Sequence, residues 1–116
     1  MKESPIFART YDLLLWLIPQ TLKFPREQRF VLAKRVQDTA LGFQENLLEA
    51  GLRKGAARAE RLVESDIALA KLRVYLRLCQ ELRLFSLGQY EHVIRMVSEV
   101  GRLLNGWRRV DEAVTN

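Results

Sequence analysis

Apolar residues recur at three- and four-residue steps along this chain, and this periodicity is the feature that most constrains its fold. The clearest stripe contains Leu32, Val36, Ala40, Phe43, Leu47 and Ala50. Such spacing places all members of a stripe on one face of an α-helix. Alternating strand patterns and hairpin dipeptides do not occur in the sequence. The sequence therefore predicts an all-α protein.

Proline, glycine and capping residues mark the expected helix boundaries. Pro5 and Pro25 suit the first position of a helix. Gly51 suits a helix end, and Ser86 and Gln89 have the spacing of a capping box. We expect a single domain over residues 1–116, with helices at about residues 5–22, 26–52, 56–85 and 87–106 and a frayed end at residues 111–116.

Short joints between long helices favour an antiparallel up-and-down four-helix bundle. In such a bundle the first joint (residues 23–29) and the joint before the fourth helix lie at one end, here called the first pole. The second joint (residues 53–58) and the end of the fourth helix lie at the opposite end, the second pole. A chain of 116 residues buries about two-thirds of its unfolded surface, so its core needs no disulfide or metal.

The third helix carries more apolar surface than a simple bundle needs. Its first stripe contains Leu62, Leu69, Leu72, Leu76 and Cys79. Its second stripe contains Ile67, Val74, Leu78 and Phe85. The second stripe either packs among neighbouring helices of the same chain or forms a contact between subunits, and the sequence leaves both alternatives open.

Arginine dominates the charge of the chain, with 14 arginines against 5 lysines and a net charge of +5. The planar donor fork of guanidinium matches phosphate and carboxylate groups, so this excess favours a polyanion or an acidic partner. Acidic residues are spread among the basic ones, which is unlike a disordered basic tail.

The apolar run at residues 13–18 is too short to span a membrane, which takes about 20 residues. We therefore expect no membrane partner and no signal peptide. Cys79 is the single cysteine, which excludes an internal disulfide and fits a reducing, cytoplasmic location.

No set of residues in the sequence forms a recognisable catalytic or metal-binding motif. His92 is the only histidine, and its neighbour Glu91 points about 100° away on a helix. The segment G-L-R-K-G at residues 51–55 lacks the end of a P-loop. We expect no enzymatic activity, no metal and no cofactor.

Basic residues cluster at the two predicted joints and between them. The first joint carries Lys23, Arg26 and Arg29, and the second carries Arg53, Lys54 and Arg58. Arg73 and Arg77 lie one helical turn apart on the third helix. One interpretation is that these side chains are solvated or pair with acids such as Asp66, Glu81 or Glu99. The other is that they bind a polyanion through phosphate contacts, largely without sequence preference.

Two groups of residues carry a family resemblance. The first is Y-D-L-L-L-W at residues 11–16 with K-F-P-R-E-Q-R-F at residues 23–30. The second is L-R-V-Y-L-R-L at residues 72–78 with G-R-L-L-N-G-W at residues 101–107. From residue 10 to 107 the chain resembles the accessory variability determinants of diversity-generating retroelements. Those proteins belong to a wider four-helix-bundle group that includes the proteins encoded by intervening sequences in bacterial 23S ribosomal RNA genes.

The resemblance implies a barrel-shaped homopentamer of four-helix bundles with a basic surface. It further implies a non-catalytic partner of a reverse transcriptase and of template-repeat RNA or DNA, which supports mutagenic cDNA synthesis and retrohoming. Arg73 and Arg77 match family arginines implicated in contacts with the transcriptase and nucleic acid. Arg26, Arg29 and Arg102 also match motif positions, and Arg102 is expected to be a buried structural arginine because it follows Gly101 near the core stripe.

Two other functions remain open at this stage. One is a bundle of the ribosomal intervening-sequence type with an unknown interaction role, which the genomic neighbours distinguish from a retroelement protein. The other is an interaction module for an acidic protein, for which RNA affinity falling steeply with salt is contrary evidence.

Overall fold

The computed structural model describes residues 4–115, which form helices joined by short turns. The α-helices are α1 (Pro5–Thr21), α2 (Lys34–Leu52), α3 (Gly55–Glu81) and α4 (Leu87–Thr115). A 3-10 turn (Arg26–Gln28) and a π-helical turn (Arg29–Ala33) lead into α2. The region 4–115 contains no β-strand. The predicted all-α class is thus confirmed.

The helices pack as a four-helix bundle, in which α1 and α3 each contact both α2 and α4. The molecule measures 47 × 24 × 22 Å along its principal axes. Aromatic contacts connect the elements at each end. Phe24 packs edge-to-face on Phe85 at the first pole, with ring centroids 5.3 Å apart, and Phe7 packs on Trp107 at the second pole, at 5.8 Å.

The core consists of aliphatic side chains from all four helices together with Phe43 and Phe85. Every member of the stripe predicted between residues 32 and 50 is buried. Pro19 does not end α1, which continues to Thr21. The Thr21 hydroxyl donates to the Ile18 carbonyl at 2.7 Å and accepts a bond from the Gln37 amide at 2.8 Å, which ties the end of α1 to α2.

The third helix ends earlier than predicted, at Glu81 rather than at residue 85. Its end is a Schellman motif. The Leu84 N–H donates to the Cys79 carbonyl at 2.8 Å, and the Arg83 N–H donates to the Gln80 carbonyl at 3.0 Å. Arg83 takes the left-handed conformation, with φ of 62°, at the position where glycine is most common. Without a glycine at that position, the sequence carried no strong stop signal.

The fourth helix runs to Thr115, so the predicted end at residue 106 and the frayed end were wrong for the described residues; Asn116 lies outside them. Gly106 lies inside the helix, where it costs only about 1 kcal/mol relative to alanine. Asp111 is buried, which shows that the last turns still pack on the bundle. The capping box before α4 is formed as expected, with reciprocal Ser86–Gln89 bonds of 2.8 and 3.1 Å.

The second apolar stripe of α3 lies mostly on the outside of the bundle. Ile67, Val74 and Leu78 are 42%, 57% and 40% exposed. Phe85, assigned to the same stripe, is instead buried in the core. The prediction was therefore wrong for Phe85, because the chain leaves helical geometry after Glu81 and the 3.6-residue period no longer applies. No helix within residues 4–115 fully covers the other three residues.

Candidate nucleic-acid interface

Arg73 lies at the seam between α3 and α4, directly over Gly101. A Cβ atom built on Gly101 would lie 2.6 Å from Nη2 and 3.8 Å from Cζ of Arg73. The absent side chain of Gly101 thus leaves the space that the guanidinium occupies. Arg73 is exposed, and no carboxylate within residues 4–115 pairs with it. Its donors are therefore available to an external anion.

Arg77, one turn further along α3, has an internal partner. Its Nε lies 3.4 Å from Oε1 of Glu81, and both side chains are more than half exposed. Such a surface pair contributes at most about 1 kcal/mol. Asp66 and Glu99, the other acids considered as partners, pair with arginines elsewhere. Arg73 and Arg77 consequently differ in how free they are to bind a ligand.

The basic residues of the first joint point into solvent around a packed aromatic anchor. Phe24 is half-buried against Phe85, and this contact holds the joint on the bundle. Phe30 is 79% exposed on the π-helical turn beside the cluster. The exposed cations of this cluster, none of which has an ion pair within the described chain, are Lys23, Arg26 and Arg29.

The second joint is more strongly connected within the chain. The Nε of Arg58 donates to the Ala50 carbonyl at 2.9 Å, and its Cζ lies 6.0 Å from the ring centroid of Trp107. Arg58 therefore links α2, α3 and α4 at the second pole. Arg53 forms a 3.9 Å ion pair with a carboxylate one turn earlier, whereas Lys54 is exposed without an ion pair in residues 4–115.

Arg102 is exposed, so the prediction that it is a buried structural arginine was wrong. Neighbouring residues on a helix point about 100° apart, and Gly101 therefore faces α3 while Arg102 faces solvent. Arg95, which was not predicted to be a binding residue, and Arg109, one of the basic residues predicted at the second pole, are exposed on α4 seven residues before and after Arg102. The seven-residue spacing from Arg102 was the signal that could have identified Arg95.

Arg9, Cys79 and His92 lie outside the basic clusters. Arg9 lies 3.2 Å from both Asp12 and Glu99, beside a surface pocket of about 250 Å³. Burial raises the pKa of the Cys79 thiol to about 11. The His92 ring packs on an indole rather than on a carboxylate. Residues 4–115 contain no group of three or more side chains placed to hold a metal ion.

A model of the bAvd-like family matches residues 6–110. The match spans most of the chain and includes both groups of residues that carried the resemblance, so the chain belongs to the bAvd-like family. No curated protein matches the chain. None of the described helices is long and apolar enough to cross a bilayer.

A similar fold occurs in a crystal structure of a protein of unknown function from the S23 ribosomal protein family of Bacteroides thetaiotaomicron VPI-5482. The TM-score is 0.85 at 18% sequence identity, and the alignment covers 94% of this chain and 99% of that chain. At this identity the similarity concerns the fold alone. It agrees with the four-helix bundle described above.

Proposed function

We propose that this protein is a non-catalytic accessory subunit of a diversity-generating retroelement. It binds the reverse transcriptase and the template-repeat RNA through its basic surface and supports mutagenic cDNA synthesis in the cytoplasm. Membership of the bAvd-like family across residues 6–110 supports this assignment.

The observation that carries the proposal is the exposed, unpaired guanidinium of Arg73 over Gly101. A guanidinium that has no carboxylate partner can make a bidentate contact with phosphate without first breaking an ion pair. Arg77 can leave its weak contact with Glu81 at low cost and contact the next phosphate. The exposed cations of the first joint lie on the α1–α2 side of the bundle at the first pole and provide further phosphate contacts there.

The apolar outer face of α3 supports assembly into a homo-oligomer. Its exposed members are Val63, Ile67, Val74 and Leu78. These positions follow helical spacing, so a helix of a second copy can cover them together. The barrel-shaped homopentamer is the assembly that the family resemblance implies, and it would place one basic surface on each subunit.

The double variant Arg73→Ala/Arg77→Ala tests the proposed function. Parent and variant are each co-expressed with the neighbouring reverse transcriptase and template-repeat RNA and then purified through an affinity tag on this protein. We expect the parent to retain both partners and the variant to lose most of them. The helical circular dichroism signal should be unchanged, because both arginines are exposed.

The matched control is Lys34→Ala/Arg35→Ala, which removes the same charge from α2. Both residues are exposed, and Lys34 only forms a surface pair with Asp38. The control should keep both partners. If the Arg73/Arg77 variant binds like the parent, the assignment of the site is wrong; if the two double variants lose binding equally, only net charge matters.

The second candidate function is that of a ribosomal intervening-sequence type bundle with an unknown interaction role. The similarity to a member of the S23 ribosomal protein family favours keeping this candidate. A neighbouring reverse-transcriptase gene and a repeat pair support the retroelement function, whereas a position inside a 23S ribosomal RNA gene supports the second candidate.

A further inference from the structure

A row of arginines runs along the outer face of α4. Arg95, Arg102 and Arg109 are separated by seven residues each, which is close to two helical turns. They therefore lie on one face at intervals of about 10 Å, over about 21 Å of helix length. All three are exposed, and the helix that carries them is continuous from Leu87 to Thr115.

The three arginines have no partner in the described part of the chain. Neither an ion pair nor a side-chain hydrogen bond involves Arg95, Arg102 or Arg109. By contrast, Arg61 and Arg108 lie 3.3 and 3.2 Å from a carboxylate oxygen. Glu91 and Glu99 flank the row but form no ion pair with its arginines, so the three guanidinium groups add little to the stability of the fold and can attract an external anion.

Polar residues fill the gaps in the row. Ser98 and Asn105 are exposed between the arginines. Together the five residues follow the a and d spacing at which a helix that packs on another helix carries apolar side chains. The outer face of α3 has such apolar side chains, whereas this face of α4 has none. The face of α4 is therefore suited to a polar, anionic ligand rather than to a helix of a second copy.

We propose that this arginine row (Arg95, Ser98, Arg102, Asn105 and Arg109) binds the phosphate backbone of a nucleic-acid duplex. Arginine, serine and asparagine side chains commonly contact phosphate and sugar oxygens. The row contains no aromatic residue, whereas sites for single strands stack bases on aromatic side chains. The inference rests on the proposed nucleic-acid function, and it adds a surface that is distinct from Arg73, Arg77 and the two joints.

The variant Arg95→Gln/Arg102→Gln tests the row. Binding of a 20-base-pair RNA–DNA hybrid and of its separated strands is measured by fluorescence anisotropy over a range of salt concentrations. We expect affinity for the hybrid to fall at least about tenfold at 0.1 M salt. The negative slope of the logarithm of the association constant against log salt should become shallower by about 2, because two phosphate contacts are lost. Affinity for the single strands should fall less.

Two further variants make the result specific. Lys34→Gln/Arg35→Gln removes the same net charge from another helix and should bind the hybrid like the parent. Arg95→Lys/Arg102→Lys keeps the charges and should retain most of the affinity, because phosphate contacts are mainly electrostatic. Unchanged circular dichroism shows that each variant is folded.

The inference is overturned if the Arg95/Arg102 variant binds the hybrid like the parent, or if hybrid and single strands lose affinity equally. A different result would contradict the proposed function itself, namely a parent protein that binds neither RNA nor the hybrid. A parent that binds, and that is weakened by Arg73→Ala/Arg77→Ala but not by the changes on α4, retains the proposed function and removes only the arginine row.

Discussion

The guanidinium of Arg73 occupies the space above Gly101 that the side chain of any other residue at position 101 would fill. The distance of 2.6 Å between Nη2 and a Cβ built at position 101 is too short for both to be present. The atom that must move is the far end of a flexible side chain, so a methyl group there displaces the guanidinium without separating the helices. Gly101 therefore controls the position of Arg73 more than the packing of α3 on α4.

Gly101→Ala should leave the protein at least as stable while weakening RNA binding several-fold. Alanine favours a helix over glycine by up to about 1 kcal/mol, and Leu69 at 3.4 Å leaves room for the new methyl group after a small adjustment. The displaced guanidinium loses its position on the surface. Urea unfolding measures the stability, and anisotropy titration with template-repeat RNA measures the binding.

Gly106→Ala is the matched control for that change, because it lies in the same helix and has no atom within 4 Å of its Cβ position. It should gain stability without any loss of RNA affinity. If Gly101→Ala also keeps full affinity, the position of Arg73 over Gly101 has no role in binding.

Val74→Glu should dissociate the assembly without unfolding the chain. Val74 is 57% exposed, so glutamate is solvated in the free subunit but would be buried when a second copy covers α3. Light scattering should give a mass of several chains for the parent and one chain, 13.5 kDa, for the variant. Leu15→Glu, at 59% exposure on α1, should keep the parent mass. A monomeric parent contradicts the proposed assembly.

Arg83→Gly should raise the free energy of unfolding by about 0.5 to 1 kcal/mol. Arginine at φ 62° carries the steric cost of the left-handed conformation, which glycine avoids, and the greater freedom of glycine in the unfolded chain offsets part of the gain. Arg83→Ala keeps the cost and serves as the control in the same urea titration. A loss of stability in Arg83→Gly would mean that the arginine side chain itself stabilises the end of α3.

Cys79 should be unreactive in the folded protein. Desolvation by burial raises the pKa of its thiol from 9.0 to about 11, so little thiolate exists at pH 8. An aromatic disulfide reagent should react slowly in buffer and rapidly in urea. Because the folded pKa lies above the unfolded one, the Cys79 contribution to stability is complete below pH 9 and is lost as the pH rises through 11. Rapid reaction in buffer would show that the thiol opens to solvent.

The sequence predicted those parts of the fold that depend on local periodicity. The stripe from Leu32 to Ala50 and the capping box at Ser86 follow from the spacing of residues three or four positions apart, and both were confirmed. The ends of α3 and α4 depend on weaker effects. A helix can pass through Gly106 when the residues beyond it still pack, and it can end at Glu81 although the left-handed residue that follows is Arg83 and not glycine. The ends of both helices depend on tertiary contacts, which the periodicity of the sequence does not predict.

The sequence predicted which residues of the candidate site are basic, but it did not predict which groups in the fold those residues contact. The sequence indicated that Arg58 and Arg73 are basic surface residues, but not that Arg58 donates to a carbonyl and packs on Trp107 while Arg73 remains unpaired. Arg102 was misplaced because its neighbour Gly101 faces the other helix. Whether an arginine has a partner within the chain depends on which helices pack against each other. The local sequence pattern does not specify this packing.

The salt dependence of binding to template-repeat RNA tests the central claim most directly, that exposed arginines of this bundle bind phosphates. The dissociation constant of the parent is measured from about 50 to 300 mM salt. If Arg73, Arg77 and the first joint contact the backbone, the logarithm of the association constant (the reciprocal of the dissociation constant) should fall with log salt with a slope steeper than about −3. A slope near zero, or no measurable binding at the lowest salt concentration, would contradict the account.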